Sequence, residues 1–334
     1  MRAIELQGPS RPRLVELPDP QAGPGDIVVD VQASGICGTD LRIMQGDYGH
    51  ISFPLVIGHE FAGRVSAVGD DVDDLRPGDR VAADPNIYCG HCEWCRRRAF
   101  NLCDNWQALG VTRTGALAER VVVPARLAVR LPDSVDAETG ALIEPLSCVL
   151  HAMDRAQVEA DRSILIYGAG TIGLFAVVVA VARGLQVSVV EPHEQRRMRA
   201  VALGATAAGD VAGLGGSVAF DYVLDASGVP AAIGDGLARL RKRGTFIQMG
   251  VAPGSARVPY SPYQLYEKEW RIIGSNSLAD RYVEAADLMP TVAEQLRTLI
   301  THRYPLAAFD EAVAVMASPD AVKVHLHPWE GRDR

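Results

Sequence analysis

The 334-residue chain has no apolar run long enough to cross a bilayer: its longest, Ile172 to Ala182, falls short of the roughly 20 residues a membrane helix needs. The opening MRAIELQGPSRPRL lacks the apolar core of a secretory leader, so a cytoplasmic location is expected. Surplus positive charge is also missing. Lys and Arg number 33 against 41 Asp and Glu, for a net charge of -8. With nothing to offset phosphate repulsion, nucleic acid and anionic membrane surfaces are excluded as partners. The one basic cluster, Arg96-Arg97-Arg98, is short and reads as a solvated surface. Internal repeats and low-complexity segments are absent. What remains is an ordinary globular composition, 48% hydrophobic, in a chain long enough for two domains.

Cysteine is scarce but unevenly placed. Of six, four stand at Cys89, Cys92, Cys95 and Cys103, while Cys37 and Cys148 are isolated. Two disulfides are the alternative for the group of four, and a reducing compartment argues against them. Four thiolates on one loop close a tetrahedral zinc shell with no open position, so a structural zinc is expected. A bacterial iron–sulfur run ends on a tighter spacing followed by Pro, whereas Asp104 follows Cys103 here. His91 lies inside the loop and is read as a bystander.

The organisation changes along the chain. To about residue 145, short β-branched runs such as Ile27–Val31, Gly63–Val68, Arg80–Ala83 and Arg120–Val123 alternate with Gly/Pro turn signals. That predicts a β-rich body with few helices. Strand and helix patterns then alternate: Ser163–Tyr167, Thr171–Arg183, Gln186–Val190, Glu194–Leu203, Asp221–Asp225, Pro230–Arg239, Thr245–Met249 and Arg271–Gly274. Such alternation implies a parallel sheet covered on both faces. From about residue 290 only one amphipathic helix, Phe309–Met316, and a final strand near Val322–Leu326 are expected.

Gly168-Ala169-Gly170-Thr171-Ile172-Gly173 follows the first of these strands and opens a helix, and Glu191 ends the next strand. Glycines let the backbone approach a pyrophosphate, the helix N-terminus supplies N–H donors, and the acid can accept from both ribose hydroxyls. The pattern therefore predicts a dinucleotide site. Glu191 would repel a 2′-phosphate, which favours NAD over NADP; Arg196, a further candidate cofactor contact, and Arg197 are what would admit NADP, their default reading being a solvated helix face. Ser227, Gly250 and Ser275, each just after a predicted strand, are further cofactor contacts or ordinary strand-to-loop punctuation.

A second metal site is harder to read. Cys37 stands beside Thr39 and Asp40, His59 beside Glu60, and Glu144 lies where the β-rich part meets the nucleotide domain. Spacing alone does not join them. Taken together, however, GICGTD, GHEFAGRV, the four-cysteine lobe, IEPLSC, YGAGTIGL and the terminal KVHLHP resemble the zinc-containing medium-chain dehydrogenase/reductase family, and within it the sorbitol-dehydrogenase-like polyol branch. The resemblance spans essentially the whole chain.

It implies a GroES-like β-rich catalytic domain over 1–148, a Rossmann doubly wound parallel-sheet NAD domain over 149–288, and a segment 289–334 returning to the catalytic domain. It also implies a catalytic zinc on Cys37 and His59 with the carboxylates Glu60 and Glu144. A homodimer or homotetramer is implied as well. The expected reaction is metal-assisted hydride transfer between a secondary alcohol, a polyol or sugar derivative, and NAD, giving the ketone. Thr39 resembles the hydroxyl that takes the alcohol proton, and Asp40 a partner behind the metal.

One position departs from the family. Where a relay His is usual stands Arg42, which stays protonated and cannot shuttle protons as imidazole does. The proton then leaves through water or the ribose, or Arg42 binds an anionic group, as would suit a sugar phosphate. Sugar-phosphate, amino-cyclitol and threonine-type dehydrogenases are therefore the alternatives within enzymes. A non-catalytic binding protein would have lost its ligands, whereas Cys37, His59 and Glu144 are all present. Tyr48, His50, Phe53 and Trp106 are expected to shape the substrate pocket.

Overall fold

The computed structural model describes residues 1–49, 51–209, 213 and 218–331. The chain divides into two units, one of Met1–Ser147 with Ala279–Arg334 and the other of Cys148–Leu278. The return to the first unit thus begins at Ala279, ten residues before the expected 289. The cause is a helix the sequence reading did not foresee, Tyr282–Arg297. It buries Tyr282, Ala285, Ala286, Met289 and Val292 and packs against the short helix Ala137–Gly140. Pro290 inside it disguises the pattern, since proline removes a helical hydrogen bond and ordinarily ends a helix.

The first unit is built on one main sheet. Its strands lie in the order Ala128–Arg130, Arg80–Ala83, Glu60–Val68, Asp26–Ile36, Lys323–His327, Ile300–Pro305, with Arg120–Pro124 also paired to Asp26–Ile36. The C-terminal strand therefore lies beside the strand that leads into Cys37. In register, Gly35 stands opposite Glu60 on one side and His325 on the other. Ile4, Leu6, Ile36, Ile43, Leu117, Phe309 and Leu326 share one core cluster. Val29, Val31, Phe61, Val65 and Val81 share another. Burial of these faces, rather than local propensity, holds the return strand in place.

The second unit is a six-stranded parallel sheet, ordered Ala207–Gly209, Gln186–Val190, Ser163–Tyr167, Phe220–Asp225, Leu240–Gln248, Arg271–Gly274. Its central strands are near-continuous apolar runs, as expected for strands covered on both faces. Helix Thr171–Ala182 is almost wholly apolar and buries Gly173 to Ala180, which accounts for the long run without any membrane role. Among the described residues no helix is long and apolar enough to cross a membrane. The predicted strands and helices of this unit are all present. The β-rich reading of the N-terminal part holds too.

Candidate functional site

In the first unit, ligand atoms of Cys37, His59 and Glu60 lie within 4.8 Å of one another, largely buried. Cys37 caps the helix Gly38–Gln45, and its backbone N–H donates to Asp40 Oδ2 at 2.8 Å. The other oxygen of Asp40 accepts from Gly58 N at 3.2 Å and lies 3.6 Å from His59 Nδ1. One fully buried carboxylate thus ties together the two segments that bear the sulfur and the imidazole. Gly58 makes this possible, because it sits at φ +96° and a side chain there would strike Leu117. Burial disfavours charge on His59, yet the Asp40 carboxylate and the Cys37 sulfur beside it hold its pKa well above the imidazole value.

Glu60 meets a partner that sequence reasoning missed. Lys323, on the C-terminal strand, places its ammonium against the Glu60 carboxylate and donates to Ile36 O at 3.3 Å. The Glu60 carboxylate occupies the space a side chain at Gly35 would need. Glu144, near the start of the helix Ile143–Ala156, is buried, and its charge acts on both Lys323 and Tyr282. The structure does not bring Glu144 into the cluster of Cys37, His59 and Glu60. Thr39 lies in the first turn of the helix after Cys37, partly exposed. Arg42, at the other end, donates to Asp47 O at 3.0 Å and lies over the Tyr48 ring. Tyr48, Phe53 and Trp106 pack on one core cluster, and His50 falls outside the described residues.

The four clustered cysteines also converge within 4.8 Å, and none of the four is in a disulfide. Backbone amides point at the sulfurs: Cys89 N and Asn105 N donate to Cys103 Sγ at 3.3 and 3.4 Å. The backbone N–H of His91, chief among several amides and thiols, lowers the Cys89 thiol to about 6, whereas burial pushes Cys95 up to about 12. His91 itself turns aside to Cys89 O. The lobe is pinned by Tyr88 stacked on Phe100 at 4.1 Å, with Arg126 over the Tyr88 ring. Trp106 Nε1 donates to Asn86 Oδ1 at 2.8 Å, and Asn86 in turn donates to the buried Asp84.

In the second unit the glycine loop turns at Gly168, φ +92°, and a side chain at Gly173 would strike Gly168 O. Gly170 caps the helix that begins with Thr171 and Ile172. Glu191, almost wholly buried, accepts from Ala169 N at 2.7 Å and His193 N at 3.0 Å. It therefore braces the loop itself. Arg197 is spent on the backbone carbonyls of Glu191 and Pro192, while Arg196 is half-buried. Asp225 knits the neighbouring loops, accepting from Ser227 Oγ at 2.6 Å and Gln248 Nε2 at 2.6 Å, while its carbonyl accepts from Gly250 N at 2.8 Å. Ser275 N donates to Gln248 O, and its hydroxyl is buried without a partner.

Comparison with known proteins decides the family. Residues 23–133 match the alcohol dehydrogenase GroES-like domain and residues 137–327 the glucose dehydrogenase C-terminus. The chain belongs to the zinc-dependent medium-chain dehydrogenase/reductase family. This dehydrogenase is 35% identical to D-altritol 5-dehydrogenase of Agrobacterium fabrum, over 92% of its own chain and 93% of the relative. It is 31% identical to D-arabitol-phosphate dehydrogenase of Enterococcus avium, over 97% and 96%. A Sinorhizobium meliloti 1021 structure bound to NADP superposes with a TM-score of 0.90 at 34% identity, covering 98% and 99%.

The residues fit the groups this family carries. A thiol, an imidazole and a carboxylate whose ligand atoms converge in a buried place make a donor set suited to zinc. Four sulfurs met by amides suit a second, closed zinc site. Glycines that admit no side chain and the unpartnered Ser275 hydroxyl suit a nicotinamide dinucleotide. Lys323 had one visible signal, a Lys-x-His-x-His alternation that puts three titratable groups on one face of a strand.

Proposed function

We propose that this dehydrogenase interconverts a secondary alcohol of an unphosphorylated polyol and its ketone, using NAD and a zinc held by Cys37, His59 and Glu60. The observation that carries the reading is the buried convergence of those three donors in a polyol-dehydrogenase relative. Zinc, when bound, supplies a Lewis acid that lowers the pKa of the alcohol, and the nicotinamide takes the hydride.

The chain's own groups orient this chemistry. Asp40 holds Cys37 and the Gly58-His59 turn in one geometry, as the partner of a metal-ligating histidine commonly does. Lys323 balances the Glu60 charge, so a buried cluster of anionic donors is not left uncompensated. Glu144, buried and acting on the Lys323 ammonium, would be a further carboxylate of the site. Thr39 relays the alcohol proton, its hydroxyl accepting that proton as it gives its own to solvent, since Arg42 is engaged with Asp47. Cys89, Cys92, Cys95 and Cys103 hold the structural zinc.

NAD is supported by Glu191, a buried carboxylate bound to the glycine loop, whose charge would oppose a 2′-phosphate brought near it. The NADP-bound relative makes this the point to test. A phosphorylated polyol is the second reading, favoured by the likeness to an arabitol-phosphate dehydrogenase. The pairing of Arg42 with Asp47 weighs against it.

The test is reduced-cofactor absorbance over a panel of polyols and their phosphates, with NAD and with NADP, with and without a zinc chelator. Chelator-sensitive turnover of an unphosphorylated polyol with NAD is the expected outcome. A preference for the phosphate ester would replace this substrate by the second reading. Inactivity on every polyol with zinc and NAD bound would overturn both.

A further inference from the structure

The parallel sheet of the second unit carries its glycine loop at the C-terminal strand ends. At the opposite ends a separate cavity of about 480 Å³ opens, next to the starts of Ser163–Tyr167, Phe220–Asp225 and Arg271–Gly274. Arg162, Lys242, Arg243 and Arg271 line it. Three carboxylates line it too, but each already holds an arginine: Glu159 with Arg162 at 3.2 Å, Asp221 with Arg241 at 3.0 Å, and Glu269 with Arg243 at 3.5 Å.

Two cations are left over. Arg271 reaches only neutral acceptors, the carbonyls of Arg155 and Ala156 and the amide oxygen of Gln157 at 3.3 Å. Lys242 has no hydrogen-bond or ion-pair partner among the described residues. The backbone that presents Lys242 is preorganised. Arg243 takes a left-handed backbone, φ +61°, and its N–H is held by Lys268 O at 2.6 Å. Asp221, the carboxylate deepest in the strand ends, is further occupied by Ser163 N and Ser163 Oγ, and the Arg241 guanidinium beside it offsets its charge.

We propose that this cavity is an anion site for a small phosphate-bearing molecule, with Lys242 and Arg271 as the two groups that bind the phosphate. The volume falls within the range of small-molecule sites and exceeds what a lone phosphate fills, so an organic group accompanies the anion. A long polyanion is disfavoured by the chain's net charge of -8. A guanidinium offers two N–H donors to one phosphate, and a lysine adds a point charge beside it. The site is separate from the cofactor loop and does not depend on the proposed substrate.

The experiment is equilibrium dialysis of the zinc-loaded enzyme, saturated with NADH, against labelled inorganic phosphate or sulfate. NADH saturation keeps the probe off the glycine loop. Saturable binding is expected, weakened about tenfold in Lys242→Ala and in Arg271→Gln and lost in Lys242→Glu, as removal of a charge-assisted contact entails. Arg13→Gln, an exposed arginine of the first unit, should bind as the parent does. NADH affinity and thermal midpoint, measured alongside, show that each variant is folded. Absence of saturable binding, or binding unchanged in folded Lys242→Glu, overturns the proposal.

Discussion

Lys323 and Glu60, 263 residues apart in sequence, form an ion pair in which each side chain is 2% exposed. Burial alone would lower the lysine's pKa, but Glu60 and Cys37 outweigh it and hold the ammonium charged. The pair exists because the C-terminal strand lies against Asp26–Ile36 and because Gly35, lacking a side chain, leaves room for the carboxylate. A charge of each sign is thereby buried beside the Cys37 and His59 donors.

Lys323→Met should cost about 3 to 5 kcal/mol of unfolding free energy, because it strands a buried carboxylate. Lys323→Met with Glu60→Gln should recover much of the loss, since neither charge then remains. Chemical denaturation of the two variants measures both. A single variant as stable as the parent would mean the pair is not closed in solution.

Asp40→Asn keeps the shape but turns one acceptor oxygen into a donor facing an N–H of Cys37 or Gly58. Zinc affinity should drop about 10- to 100-fold, the usual effect of losing such a partner, with folding retained. Metal competition titration beside circular dichroism checks this. Unchanged zinc affinity would show that Asp40 serves the turn alone.

The two donor groups predict two zinc ions per chain. Cys95→Ser should remove one of them and lower thermal stability, leaving the other in place. Elemental analysis of the purified variant decides it. Retention of both metals would exclude the lobe as a zinc site.

His325 is fully buried, and neither ring nitrogen has a hydrogen-bond partner. Burial first, then the positive charges of Lys323, His327 and Arg303, hold its pKa well below 6.5, with Asp136 opposing. Between that depressed value and 6.5 the unfolded chain binds more protons than the folded one, so stability rises with pH there. The deficit is complete below the folded pKa and gone above 6.5. The slope should approach about 1.4 kcal/mol per pH unit in the zinc-loaded enzyme and flatten in His325→Gln. Parallel denaturation curves for the two proteins from acid to neutral pH would refute it.

Glu191→Ala removes the acceptor proposed for the ribose hydroxyls and the brace on Ala169 N. Discrimination between NAD and NADP, taken as the ratio of kcat/KM values, should shift toward NADP by about tenfold or more. A ratio left unchanged would place cofactor choice elsewhere.

Much of this molecule was legible because its signals are local. The glycine loop occupies six consecutive positions and the cysteine lobe fifteen, and both close within themselves. The strands of the parallel sheet announced themselves as apolar runs. The helix Tyr282–Arg297 did not, because Pro290 interrupts its pattern while tertiary packing keeps it helical. Lys323 was passed over because a lysine in a strand ordinarily faces water.

The amino-acid sequence by itself determined the donor types, the spacing of the four thiols and the turn that accepts a dinucleotide, since covalent geometry holds near neighbours together whatever surrounds them. Only the tertiary structure decided that Glu60 stands with Cys37 and His59, that Asp40 binds both segments that bear them, and that Lys323 supplies the opposing charge. Those contacts join residues far apart in the chain. They form because the apolar faces of several strands must be buried together, a condition on the whole chain that no short motif carries.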